Sequence, residues 1–448
     1  MVRSPSKTAA STSSPWNRTR SREPRMSTLE KSLGPVSGTA MMLNTVLGVG
    51  ILTLPGLAAA AAGPSAVWTW LVCAAANIPL LAVFAILASR FPEAGGVAHI
   101  AGCAFGRTAS LITSFLFLGA VFLGLPSIAL TGGNYFEAAT GTPAGLTAAV
   151  LVVLASAANL TVPRLAARIG SLAAGAVMIF LFVLVALSFV TVTHGEPVSE
   201  TLGAAWTAAE FSPALVFAPF MLVFFAFTGW EVALSTTEEF ANPKRNVPIA
   251  VAVSFVIAVG FYMLCATTVV AAGPAAFTAA PFVEILTPAL GENAGLALSI
   301  GVLLLIAANL FAAFWAVSRM VMSVAREGAL PTALANTRNG VPAVAIIVNC
   351  AVFLAVLVAD KIGVVDIGSL IASAGQNFFL IYGMSALALV KLGRTTIEKA
   401  FGLISLMIVA GLALYAGDGL IYPLLLIGAA LLVRRATQTP LADVAPAE

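Results

Sequence analysis

Glu231 is the first residue that demands a chemical account. It stands two residues after Gly229 in FFAFTGWEVAL, inside a long apolar run. A carboxylate at the centre of a membrane helix costs about 2.5–3.5 kcal/mol. It must face a cavity or a partner, or carry a proton; a structural acid hydrogen-bonded to a neighbouring helix is the plainer alternative. The second unusual stretch is GVGILTLPG, residues 48–56. Gly48 and Gly50 release a helix at little cost because they lack a Cβ. Pro55 lacks an N–H and disfavours helical geometry just before it. The spacing predicts two half-helices joined by a few extended residues, with close helix packing at glycines as the alternative.

These residues sit in a chain of 448 residues that is 60% hydrophobic and 9% charged, with mean hydropathy +1.02. A soluble domain carries about 25% charged residues, so the chain reads as an all-α integral membrane protein. At roughly 20 apolar residues per crossing it offers about twelve transmembrane helices. They fall near 36–62, 65–88, 109–131, 143–160, 169–192, 213–236, 248–272, 293–320, 342–359, 366–389, 398–416 and 418–433. Every Lys and Arg except Lys361 then lies on one side, which should be cytoplasmic, with both termini there. The formal charge of +3 is a topology signal and gives no reason to expect nucleic acid.

Other chemistries find no support. His99 and His194 are far apart, Cys73, Cys265 and Cys350 lie in apolar spans, and Cys103 falls in a loop. No spacing suits a metal, a disulfide framework or a nucleophilic triad, so neither an enzyme nor a cofactor is expected. Residues 1–33 read as a disordered basic tail without the apolar core of a secretory signal, and the native chain is expected to begin at Met26. Residues 34–390 would form a ten-helix core, 391–435 two peripheral helices and 436–448 a cytoplasmic tail.

The two interrupted spans stand five apart, so the second copy is inverted in the membrane. Such pairs mark the binding site of a secondary transporter. Half-helix N-termini suit a carboxylate, and unwound carbonyls suit an ammonium or a cation. A ligand with both groups close together, an α-amino acid, matches two facing breaks.

Four stretches carry a family resemblance: GVGILTLP, FPEAGGVAHIAGCAFG at 91–106, FFAFTGWEVALSTTEEFANPKRNVPIA across span 6, and SRMVMSVAREGALPTAL at 318–334. Over roughly residues 30–390 the chain resembles the amino acid–polyamine–organocation transporter superfamily, most of all its bacterial methionine and branched-chain amino-acid exporters. The resemblance implies a LeuT-like five-plus-five inverted repeat with discontinuous helices 1 and 6, alternating access, and a bacterial cytoplasmic-membrane location. It places the substrate at Val46, Gly48, Val49, Gly50 and Ile51 of span 1 and at Phe225, Ala226, Phe227 and Thr228 of span 6. The carboxylate would meet the N–H groups of Val49, Gly50 and Ile51, and the ammonium the carbonyls of Val46, Phe225 and Thr228. Phe225 would close over the substrate, and Glu231 would be a proton-linked switch, carrier or structural link.

The lining offered by spans 1 and 6 is apolar apart from the Thr228 hydroxyl. A charged side chain would lose hydration there, whereas methionine, leucine, isoleucine or valine gains roughly 0.8 kcal/mol per buried CH₂. A polyamine would want more acids than Glu231. Span 8 offers only Asn309 at depth for sodium, and span 5 has no intramembrane lysine. Proton-coupled antiport through Glu231 is the leading expectation and ion-free exchange the second. Gln376 and Asn377 either line the path or bond between helices. EEFANPKRN, residues 238–246, could pair with Arg90 or Arg326. Monomer and homodimer both fit.

Overall fold

The computed structural model of the chain describes residues 34–47, 50–91, 96–161, 163–193, 197–233, 239–338, 340–415 and 417–437. In chain order its helices are α1 (Pro35–Val46), α2 (Gly50–Ala62), α3 (Ala66–Arg90), α4 (Gly96–Phe105), α5 (Arg107–Thr140), α6 (Ala144–Thr161), α7 (Pro163–Thr193), α8 (Val198–Thr207) and α9 (Pro213–Phe217). There follow α10 (Phe220–Ala226), α11 (Trp230–Ala233), α12 (Pro243–Ala272), α13 (Pro281–Leu290), α14 (Glu292–Arg326), α15 (Ala343–Lys361), α16 (Ile367–Leu392), α17 (Thr396–Ala413) and α18 (Ile421–Ala436). The tail expected at 1–33, His194, Glu238 and residues 438–448 lie outside the described residues.

Eight stretches among the described residues are long and apolar enough to cross a membrane, the first of them running from Gly50 through α2 and α3 to Arg90. The chain is a multi-pass membrane protein. Of the twelve expected spans, the first is divided between α1 and α2, and the sixth among α9, α10 and α11. The fifth and twelfth correspond to α7 and α18. The short helices α4, α8 and α13 stand apart from those spans; Cys103 belongs to α4 and not to a loop.

Local sequence sets several of these boundaries. Asp366 and Ser369 form a reciprocal cap at the start of α16, at 3.1 and 3.0 Å. Thr395 and Glu398 do the same for α17, each pair satisfying N–H groups that a helix start leaves free. Gly141, at φ 73°, ends α5 in the left-handed region that glycine enters without strain.

Hydrocarbon gives no hydrophobic drive for helices to associate, so packing relies on small residues. Gly383 lies against Val409 and Gly402 against Val390, seating α17 on α16. Large apolar side chains such as Val256, Leu304, Met407 and Leu432 face outward, as a lipid-facing surface requires. At the centre α5 touches α4, α6, α14, α15, α16 and α18. Among the eight long stretches α16 is the most enclosed and α17 the least. The end of the bundle rich in basic residues is tied by an Arg90–Glu398 ion pair, and Arg107 donates to the Glu327 carbonyl at 2.9 Å. Arg90 therefore finds an acid on α17, which the sequence reading did not name.

Candidate functional site

The two helix breaks meet. α1 ends at Val46 and α2 starts at Gly50; α10 ends at Ala226 and α11 starts at Trp230. Gly229, at φ 118°, lies so close to α1 that a Cβ on it would stand 3.2 Å from Val46 Cγ2. A Cβ on Gly50 would stand 3.9 Å from Ala226 Cα. Gly48 and Val49 lie outside the described residues, so the break in α1–α2 is defined by its two ends.

Interrupted backbone inside a membrane needs partners, because each unpaired polar group costs several kcal/mol. Tyrosines supply many of them. The Tyr262 hydroxyl, on α12, lies 3.0 Å from the Val46 carbonyl and 2.7 Å from that of Ala226. The Tyr135 hydroxyl, on α5, donates to the Leu52 carbonyl at 2.7 Å. The Tyr382 hydroxyl, on α16, lies 2.7 Å from Glu231 Oε2 and 3.2 Å from the Phe227 carbonyl. Glu231 is 2% exposed, and its carboxylate also accepts from the Gly229 N–H, at 2.9 and 2.8 Å to its two oxygens.

A small cavity of about 10 Å³, room for about one water molecule, lies beside the breaks. It is lined by Gly50, Thr53 and Leu54 of α2, Ser127, Ile128 and Thr131 of α5, Phe225 of α10 and Ile371 of α16. Of the residues named by the sequence reading, Gly50 and Phe225 line this cavity. Ile51 and Phe227 are buried elsewhere: the Phe227 ring packs 5.2 Å from Tyr262 and 6.2 Å from Trp70. Ala226, Val46 and Thr228 are not among the lining residues, and the Val46 and Ala226 carbonyls are held by Tyr262. The Phe225 carbonyl accepts the Thr228 hydroxyl at 2.7 Å. Gln376 and Asn377 are buried in α16 and do not line the cavity.

Sequence reasoning missed the hydroxyls of Thr53, Ser127 and Thr131. Each gives its proton away: Ser127 to the Leu123 carbonyl at 2.7 Å, Thr131 to the Ser127 carbonyl at 3.1 Å, and Thr53 to the Ala279 carbonyl at 2.9 Å, with the Thr131 oxygen 3.1 Å away. A hydroxyl whose one proton is committed can offer only lone pairs. The cavity therefore combines apolar walls with hydrogen-bond acceptors, and no charged side chain lines it among the described residues. Tyr262 and Tyr382 were also missed. Their signal was available: the chain has only five tyrosines, and a buried tyrosine in an apolar span needs an acceptor.

Comparison with known proteins identifies the family. The amino acid permease family matches the chain over residues 33–439. An uncharacterized amino acid permease, YecA of Bacillus subtilis, is 29% identical over 425 residues, covering 90% of this chain and 95% of the relative. The L-methionine/branched-chain amino acid exporter YjeH of Escherichia coli is 30% identical over 257 residues, 54% of this chain and 57% of the relative. The human large neutral amino acids transporter small subunit 2 is 26% identical over 376 residues, 80% of this chain and 69% of the relative.

Proposed function

The chain belongs to the amino acid permease family, and from that premise we propose that this amino-acid transporter carries neutral, apolar amino acids such as methionine, leucine, isoleucine and valine. The observation that carries the reading is the cavity at the two helix breaks, with Phe225, Leu54, Ile128 and Ile371 around it and no charged lining residue among the described residues. The family implies a LeuT-like fold. In this reading residues 34–390 are the five-plus-five core, with α1–α2 and α9–α11 as its paired discontinuous helices, and α17 and α18 are peripheral. The backbone at Val49, Gly50 and Ile51 receives the substrate carboxylate. The ammonium displaces the internal donors now held by Val46 and Phe225, or uses the lone pairs of the cavity hydroxyls. Phe225 closes over the side chain.

Glu231 is proposed as the group that takes the coupling proton. Ionised, it accepts from Gly229 and Tyr382; protonated, it releases Tyr382 to the Phe227 carbonyl. Proton occupancy would thereby alter bonding within the break itself. Export by proton antiport across the bacterial cytoplasmic membrane is proposed on the likeness to YjeH, and the placement of both termini inside on the charge asymmetry of the loops. A second reading, ion-free exchange with Glu231 as a structural link, is favoured by the carboxylate's bonds to Gly229 and Tyr382 within the protein.

The test is exchange in proteoliposomes loaded with unlabelled methionine. Labelled methionine and leucine should enter saturably and arginine should not, and an imposed pH gradient should alter the rate. Arginine uptake equal to that of leucine would remove the substrate assignment; indifference to pH would favour ion-free exchange.

A further inference from the structure

Phe225 is half-buried and forms one wall of the cavity. The tip of its ring is seated against the backbone of Gly124, on α5. A Cβ at Gly124 would stand 3.4 Å from Phe225 Cζ, 3.5 Å from its Cε2 and 3.8 Å from Ala374 Cβ on α16. The next residue on α16, Gly375, brings that helix against the α10 backbone: a Cβ there would overlap the Met221 carbonyl oxygen and stand 3.5 Å from Phe225 N. Phe378 closes another side, 6.3 Å from the Phe225 ring, and is itself held edge-on by Phe117 at 5.5 Å.

Gly124 lies in the middle of α5 and has no left-handed φ. Nothing in its backbone conformation requires glycine, and glycine weakens a helix interior. What its missing side chain provides is room for the ring. On the reading that the cavity takes a neutral apolar amino acid, we infer that Gly124 is a specificity-determining position: it sets where Phe225 is stowed, and so how long a substrate side chain the cavity accepts.

Alanine at position 124 would come into ordinary contact with the ring. Valine would place two more carbons where the ring lies. Ala374, Gly375 and Phe378 hold the other sides, so the ring yields toward the cavity. The loss falls on long side chains and spares short ones.

The experiment compares native protein, Gly124→Ala, Gly124→Val and the double variant Gly124→Val/Phe225→Leu in proteoliposomes. The readout is the ratio of half-inhibitory concentrations of leucine and alanine against exchange of a labelled substrate. Gly124→Val should raise that ratio about tenfold, the loss of roughly two buried methylenes, Gly124→Ala should raise it less, and the double variant should return it toward the native value. A native ratio in an exchanging Gly124→Val protein overturns the inference. If that variant is not recovered as folded protein, a native ratio in Gly124→Ala overturns it equally. If native protein exchanges no amino acid, the substrate reading fails by itself, and cryo-electron microscopy of native and Gly124→Val protein decides: a ring displaced toward Ile128 and Ile371 supports the inference, and an unmoved ring overturns it.

Discussion

The Tyr262 hydroxyl sits between the carbonyls of Val46 and Ala226, 3.0 and 2.7 Å away, and so joins the end of α1 to the end of α10. Both carbonyls belong to helix ends and have lost their usual partners. Both also border the break where substrate would bind. One proton shared between two acceptors leaves one of them under-satisfied at any moment, which keeps the junction open to a competing donor.

Tyr262→Phe removes that proton and leaves the ring in place, packed on Trp70 at 5.3 Å and Phe227 at 5.2 Å. The expected cost is roughly 1–3 kcal/mol, that of leaving a buried acceptor unpaired. Thermal unfolding in detergent checks it. Added substrate should recover more stability in the variant than in native protein, because its ammonium then meets carbonyls with no internal competitor.

Tyr382→Phe isolates the bond to Glu231. A hydrogen bond to a charged group contributes about 1.5–3 kcal/mol, and one between neutral groups about 0.5–1.5 kcal/mol. The destabilisation should therefore be larger at a pH where Glu231 is ionised and smaller at a pH where it is protonated. Paired unfolding measurements on native and variant protein across pH read this out. Glu231→Gln should abolish the difference between pH values. It should also leave exchange present but insensitive to a pH gradient, since an amide can accept from Gly229 but cannot take up a proton.

Much of this site could be read from residues that break a rule. Gly229 and Glu231 violate the apolar pattern of a spanning helix, and GVGILTLPG violates its continuity, so both breaks were visible in one sequence. The amphipathic signals that place soluble helices were weak by comparison, because spans such as α5 are apolar all round and hide which face meets the cavity. Ser127 and Thr131 were invisible for that reason. Each bonds a carbonyl of the preceding turn, as hydroxyls in membrane helices commonly do, and nothing in the sequence separates such a residue facing a cavity from one facing a neighbouring helix. The Arg90–Glu398 pair was not legible because charge spacing says nothing about which distant helix end is adjacent.

Gly56 tests whether α2 must pack closely on the segment preceding α13. A Cβ there would overlap the Thr278 carbonyl oxygen and approach Pro281 Cγ to 3.1 Å. The neighbouring Thr53–Ala279 bond ties the same segment to the cavity wall. Gly56→Ala should cost about 1–3 kcal/mol through overpacking, and it should weaken substrate affinity as Thr53 loses its acceptor. Gly260→Ala is the control: a Cβ at Gly260 on α12 meets nothing within 4 Å, so that variant should gain the helix propensity of alanine, up to about 1 kcal/mol. Unfolding midpoints and half-saturating substrate concentrations for the two variants decide the matter.

Glu398 performs two jobs that substitution can separate. It pairs with Arg90 on α3, and its Oε2 accepts the N–H groups of Arg394 and Thr395 at 2.7 and 3.2 Å, completing the cap of α17. Glu398→Gln keeps a capping acceptor and loses the charge, so it should cost no more than about 1 kcal/mol, the range of a partly exposed ion pair. Glu398→Ala loses the cap as well and should cost about 1 kcal/mol more. Raising the salt concentration should narrow the gap between native protein and Glu398→Gln, because screening weakens the pair, and should leave the gap between Gln and Ala unchanged, because the cap survives screening. Equal losses in the two variants at every salt concentration would mean that the capping acceptor contributes nothing and that Glu398 acts through its charge alone.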